Sequence, residues 1–331
     1  MVYTTPQPND LEQLIHEALE QLGWGAEAGQ IAARIWRLNI GLPCEDEFSL
    51  VCGWLGCCDV IHKLDQKQTP EKSCEKFQVP DLLAVFNVKG KQVPVLIEVK
   101  SKKDKKLSFR PDYMEKLRQY SNVLNLPILK AWKWHGLWTL FELRHMKKAS
   151  RNYNINLENA MQENLLGILA GDFSYSVNSS AGLHFGLKKE ELVSTEETDE
   201  GRNEQWKTVI NDIYFTDGEG EVVRNLPSTV AQLFATWDLE TSELHADTHI
   251  TISHMASENS MLFAHMALVR LLNWQTPTEQ DIHWRAMLHG SNIVKGIENF
   301  RAAIQEAIEC KIVRTVINQI PLTEPEFDVG K

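Results

Sequence analysis

Residues 79–100 read VPDLLAVFNVKGKQVPVLIEVK. Val79 to Val88 is an apolar, strand-like run, Lys89-Gly90-Lys91 is a turn, and Val93 to Val99 is a second apolar run. A two-residue turn at Lys89-Gly90 sets Asp81 directly opposite Glu98. Side chains alternate along a strand, so Glu98 and Lys100 share a face and Val99 points the other way. Opposed residues have Cβ atoms about 5 Å apart, close enough for two carboxylates to share a divalent ion. A slip of one residue would send them to different faces, so the arrangement depends on the turn.

On the N-terminal side, Leu11, Leu14, Ile15, Ala18, Leu19 and Leu22 keep helical spacing, and Ile31, Ile35, Trp36 and Leu38 resume it. Pro43 marks a boundary. Glu45 to Gly56 predicts an amphipathic helix with Phe48, Val51, Cys52 and Leu55 on its apolar side, and Asp59 to Leu64 a strand. On the C-terminal side, Ser101 to Arg110 reads as a Lys-rich loop and Tyr113 to Leu124 as a helix. Ile128 to Trp134 and Leu137 to Leu143 follow as strands around a His135-Gly136 turn. Helices and strands in this order predict an α/β domain over residues 41–148, after a helical segment at 1–40.

Residues 149–331 are expected to form a second, α+β domain serving self-association, a protein partner or regulation. Leu157 to Leu169 predicts a helix, and acidic Glu190 to Asn203 a mobile loop. Trp206 to Phe215 and Glu221 to Leu226 predict a hairpin turned at Asp217 to Gly220. Thr248 to Ile252 reads as a strand, and Met261 to Leu272 and Ile293 to Ile308 as helices.

The formal charge of −11 argues against a nucleic-acid partner only if it is evenly spread. From Lys89 to Arg151, sixteen Lys/Arg stand against five acids; from Lys189 to Asp247, four stand against fifteen. The local field therefore matters more than the total. No run approaches twenty consecutive apolar residues, which excludes a membrane-spanning helix on sequence grounds. No basic start followed by an apolar core is visible, so the six cysteines are expected as reduced thiols in the cytoplasm.

An acid-x-Lys triplet is weak evidence by itself, and this chain also has Asp65-Gln66-Lys67, Asp104-Lys105-Lys106 and Glu309-Cys310-Lys311. Glu98-Val99-Lys100 differs because it ends an apolar strand whose neighbour begins at Pro80-Asp81. Two carboxylates held together repel unless a cation lies between them. Hard oxygen ligands with open positions suit Mg²⁺ or Mn²⁺, which lower the pKa of bound water and neutralise a scissile phosphate. Lys100 on the same face is positioned to orient or deprotonate the attacking water. Lys102, Lys103, Lys105, Lys106 and Arg110 follow at once, a cluster suited to binding phosphates without reading sequence.

This pattern resembles the PD-(D/E)XK nuclease superfamily, with Pro80-Asp81 and Glu98-Val99-Lys100 matching its central motif. The resemblance implies a restriction-endonuclease-like core over roughly the third of the chain that holds them. It also implies Asp81 and Glu98 as metal ligands, the Val99 carbonyl as a backbone ligand and Lys100 as the catalytic lysine. The superfamily often adds an acid from the preceding helix; Glu47 is the best match, with Glu45 and Asp46 as rivals. DNA is the implied substrate; the alternatives are a nuclease acting on RNA, or a nucleic-acid-binding or structural subunit of a larger complex whose site is idle, and a restriction or anti-phage role follows by analogy. RecB-like members carry Gln-x-x-x-Tyr on the next helix; here Tyr120 fits, but Lys116 stands in the glutamine position, an expected phosphate contact. Trp132, Trp134 and Trp138 suit base stacking or, at alternating strand positions, the core. The histidines of the second half follow no tight zinc spacing.

Overall fold

A computed structural model of the chain describes residues 44–66, 68, 70–198, 201–257, 261–275, 300–319 and 327. The helices expected between residues 10 and 38, and the first part of the one expected from Ile293, lie outside the described residues. Residues 44–55 form a helix, α1, whose Phe48, Val51, Cys52 and Leu55 are buried as the pattern required. The central sheet contains β1 (Cys58–Lys63), β2 (Leu82–Val88), β3 (Lys91–Ser101), β5 (Ile128–Trp134) and β6 (Leu137–Glu142), in the order β1-β2-β3-β5-β6. β2 and β3 are antiparallel, whereas β3 and β5 run parallel, joined through helix α2 (Pro111–Leu124).

The turn at Lys89-Gly90 is the one the sequence called for. Both residues take positive φ (53° and 84°), the twist that two-residue hairpins prefer, and glycine reaches it without steric cost. Pairing runs from Val88 opposite Lys91 to Leu82 opposite Ile97 without a slip. Each face of the sheet is covered by apolar packing. Helix α1 lies with Ala84, Phe86, Val95, Ile97 and Trp138; helix α2 lies with Leu96, Ile128, Trp132 and Phe141 through Met114 and Leu117.

Several expectations are corrected. The Lys-rich segment is not loop throughout, because Lys106–Phe109 forms β4 and pairs with β8 (Tyr153–Asn156), which also carries β7 (Lys147–Lys148). Leu157 to Leu169 is two short helices, α3 (Leu157–Gln162) and α4 (Leu166–Leu169), interrupted where the Asn164 side chain accepts from the Leu140 and Leu166 amides. The acidic segment is a long hairpin: β10 (Gly182–Thr198) pairs with β11 (Gly201–Thr216). The small hairpin expected after it is present, as β12 (Val222–Val223) pairs with Thr216 and Phe215. This second sheet has the order β12-β11-β10-β14-β13, with β13 at Leu239–His245 and β14 at His249–Ala256. A third sheet joins β9 (Phe173–Val177) to β15 (Met261–Phe263) and β16 (Val313–Asn318), so Met261 begins a strand and the helix starts at Ala264.

One apolar cluster runs from Phe48 and Trp138 to Tyr175, Leu233, Leu268 and Phe300, crossing the boundary read at residue 148. The open side of β6 meets polar groups from the later chain. The Trp138 amide donates to His265 Nε2 (3.1 Å), and Leu165 donates to the Leu140 carbonyl (2.6 Å). His265 is fully buried, and its Nδ1 lies 2.7 Å from Asp172. Because Nε2 accepts, Nδ1 carries the proton toward Asp172.

Candidate active site

Asp81 lies one residue before β2, so the hairpin brings it level with Glu98. Pro80, which would follow opposite Val99, has no N–H to continue the ladder. The Val99 amide donates instead to Asp81 Oδ2 at 2.7 Å. The Pro80 and Asp81 carbonyls are fixed from β1's exit, by Gln66 Nε2 (3.0 Å) and the Leu64 amide (3.0 Å). The Pro-Asp pair thus ends a strand and aims a carboxylate at the neighbouring one.

Lys100 Nζ stands 2.7 Å from Glu98 Oε1 and 3.8 Å from Asp81 Oδ2. Two residues that the sequence did not flag complete the cluster. Tyr113, in the first turn of α2, donates its hydroxyl to Glu98 Oε1. Lys130 faces Glu98 across the parallel β3–β5 pair, with Nζ 3.9 Å from Oε1 and 3.6 Å from the centre of the Phe109 ring. A lysine inside the apolar strand ILKAWKW was the available signal. Glu98 and Lys130 are fully buried, and among the described residues neither Glu98 Oε2 nor Lys130 Nζ has a hydrogen-bond partner.

The charges settle unequally. Burial resists ionisation of Glu98, but Lys130 and Lys100 outweigh it and hold the carboxyl below its usual range. Burial, reinforced by Glu98, raises Asp81 to about 6. Burial would lower Lys100, but Glu98 and Asp81 raise it, so its ammonium stays charged. Full burial drives Lys130 down to about 7 despite Glu98. Tyr113 is raised, by burial and then by Glu98, and remains a hydrogen-bond donor.

Glu47 does not join this cluster. Its oxygens are taken by Lys133 Nζ (2.6 Å) and Trp138 Nε1 (3.0 Å), on the α1 face of the sheet. Successive helix residues are turned by about 100°, and the acid two positions earlier is the one that feels the site. Burial, then Asp81, raises Glu45 to about 8, and Lys100 acts on it as well. Asp46 pairs with Lys63 at 2.6 Å. Among the described residues, no group of three or more His, Cys, Asp or Glu is arranged to hold a metal ion.

The Lys-rich segment leaves β3 directly beyond Lys100. Indole N–H groups anchor its backbone: Trp132 donates to the Lys102 carbonyl (3.2 Å) and Trp134 to that of Lys103 (2.8 Å). Trp132 and Trp138 are fully buried, so these two belong to the core. Lys103, Lys105 and Lys106 are exposed, while Lys102 lies 3.3 Å from Asp104 and Arg110 3.6 Å from Asp112. Lys116 donates to the Cys74 carbonyl at 2.8 Å, a bond that ties α2 to the preceding segment.

Residues 69–171 match the family model described as archaeal Holliday junction resolvase (Hjc), a PD-(D/E)XK-type nuclease family. A solved structure of Hjc, a Holliday junction resolvase from the archaeal hyperthermophile Archaeoglobus fulgidus, is 18% identical. Its alignment covers 37% of this chain and 93% of that one, with a TM-score of 0.31. No curated protein matches the chain. The hairpin of Pro80-Asp81 and Glu98-Val99-Lys100 lies inside the matched segment, so over residues 69–171 the chain is similar to a PD-(D/E)XK-type nuclease family.

Proposed function

We propose that this protein is a metal-dependent nuclease that hydrolyses phosphodiester bonds in DNA at the Asp81–Glu98–Lys100 cluster. The observation that carries the reading is the convergence of these three side chains, with the buried Glu98 Oε2 lacking a hydrogen-bond donor among the described residues. An orphaned carboxylate oxygen beside a second carboxylate suits a hard divalent cation. Asp81 and Glu98 would hold Mg²⁺ or Mn²⁺, with the Val99 carbonyl, which meets no ladder N–H from Pro80. Glu45, on which the Asp81 charge acts, would serve in place of Glu47 as the acid of the preceding helix, outside the ion's own ligands. The ion would supply an activated water and neutralise charge on the phosphate.

The chain's own groups divide the remaining work. Lys100 stays protonated between two carboxylates, which favours orienting and stabilising a phosphate anion over accepting a proton. Tyr113 and Lys130 hold the Glu98 carboxylate in place. The anchored lysines beyond β3 would bind backbone phosphates next to the site, independent of base sequence. Residues 149–331 would mediate self-association or contact a protein partner. By analogy with nucleases carrying appended non-catalytic regions, we place the protein among restriction or defence effectors.

The test is cleavage of plasmid, linear and single-stranded DNA and of RNA, with Mg²⁺, Mn²⁺ or EDTA. Asp81→Ala and Lys100→Ala should each lower cutting by about a hundredfold or more while leaving circular dichroism unchanged. Cutting that survives both substitutions sinks the mechanism. Cutting confined to RNA corrects the substrate, and metal-dependent binding without cutting by the unaltered protein assigns it to a binding subunit.

A further inference from the structure

The segment that leaves β3 beyond Lys100 runs into a small sheet, in the order β4-β8-β7, whose two faces differ. Lys106 stands opposite Asn156, Ser108 opposite Asn154, and Lys147 opposite Asn154 from the other side. Cross-strand partners share a face. The inner face sends Leu107, Phe109 and Ile155 into the apolar cluster that holds α2. The outer face carries Lys106, Ser108, Asn154, Asn156 and Lys147, with no acid and no large apolar side chain among them.

Hydrogen-bond counting shows what that outer face offers. Ser108 donates its hydroxyl to Asn154 Oδ1. The Asn159 amide donates to Asn156 Oδ1 at 2.9 Å. An asparagine side chain has one carbonyl oxygen and one NH₂ group. With both oxygens engaged, the two NH₂ groups are left as outward donors. Lys106 and Lys147 are exposed, and neither ammonium has a hydrogen-bond or ion-pair partner among the described residues. Donors and positive charge together are the complement of phosphate oxygens.

We infer that this outer face is a second grip on the substrate, binding the phosphodiester backbone of duplex DNA away from the cluster where it is cut. It takes its partner from the nuclease reading, because β4 continues the segment that starts beside Lys100. Single strands are gripped by aromatic side chains on which unpaired bases stack. This face has none, and the neighbouring Trp132 indole is buried with its N–H given to the Lys102 carbonyl. Two strand spacings separate Ser108 from Lys147, about 10 Å. A duplex carries one phosphate charge per about 1.7 Å of its axis, so the face meets more than one phosphate.

Binding and cutting are measured apart. In EDTA, anisotropy of a short labelled duplex should show Lys147→Glu weakening binding about tenfold, and Lys147→Ala flattening its log–log salt slope by about 0.9. Asn154→Asp with Asn156→Asp exchanges outward donors for anionic oxygen at equal size, and Asp serves as well as Asn at the helix cap. This pair should weaken binding at least as much, with thermal melts confirming the fold. In Mg²⁺ each variant should raise KM for cleavage more than it lowers kcat. Duplex binding by both variants within about twofold of the unaltered protein overturns the inference, and so does a loss confined to single-stranded DNA. If the variants lose binding while the unaltered protein cuts nothing, the grip stands and the nuclease reading falls. Cutting that depends on Lys100 beside binding indifferent to this face gives the reverse.

Discussion

The central sheet and the arm, the long hairpin of β10 and β11, invert the usual distribution of residues in opposite ways. Between β2, β3, β5 and α2 the molecule buries Glu98, Lys130 and most of Asp81, which cost least in water. On the β10–β11 arm it exposes Leu192, Ile210 and Ile213, which cost least out of water. Each inversion opposes stability locally, and each points to a ligand: a small cation for the buried charges and a protein surface for the bared side chains. A fold that is indifferent to function would have exchanged the two.

The sharpest way to break this contrast is to remove a buried charge. Lys130→Ala should cost about 3–5 kcal/mol in denaturant unfolding with EDTA present, since it leaves both a cavity and a less compensated Glu98. Lys130→Met keeps the volume and should cost less than half as much, because Lys100 still neutralises Glu98. If Lys130→Ala stays within about 0.5 kcal/mol, the range for ordinary surface changes, the buried cluster adds nothing to stability and the contrast fails.

Asp81→Asn sharpens it through pH. Asp81 sits at about 6 against an ordinary 3.8, so the folded protein holds that proton more tightly than the unfolded chain does. The stability this contributes is full below about pH 4 and is lost as pH rises through about 6. In EDTA the variant should lack that loss and be more stable at pH 8 by up to about 3 kcal/mol, while cutting nothing. An unaltered protein whose metal-free stability rises between pH 4 and 6 relative to Asp81→Asn contradicts the assignment.

The smallest effect compares surface charges. Replacing Lys102, Lys103, Lys105 and Lys106 by alanine should flatten the salt dependence of duplex binding by about 0.9 in slope for each phosphate no longer neutralised. Replacing Glu190, Glu191, Glu196 and Glu197 by glutamine should leave that slope unchanged. Equal changes from both sets would mean that the arm, as well as the lysine segment, borders the nucleic acid.

Much of the nuclease core was legible because its signals are local. Two positive-φ positions at Lys89-Gly90 fix the register of Asp81 against Glu98, and the buried stripe of α1 follows from spacing alone. What escaped depends on contacts distant in sequence. Tyr113 and Lys130 reach Glu98 from another helix and another strand, and nothing in their own neighbourhoods names that partner. Glu45 and Glu47 differ by two positions on one helix, so only the packing of α1 decides which of them feels the Asp81 charge. The arm was misread because Glu190, Glu191, Glu196 and Glu197 are poor strand formers judged singly. The long ladder pairing their segment with residues 201–208 overrides that preference.

The capped side of β6 carries one further implication, for how such a sheet stays in solution. A strand at the margin of a sheet is a template on which another chain can grow, and this is a route to fibres. Here the Trp138 amide, the Leu140 amide and the Leu140 carbonyl are engaged by His265, Asn164 and Leu165. A chain cut after residue 148 would bare all three groups at once. Residues beyond 148 therefore shield this edge, and a chain of residues 1–148 expressed without them should precipitate, which light scattering would show.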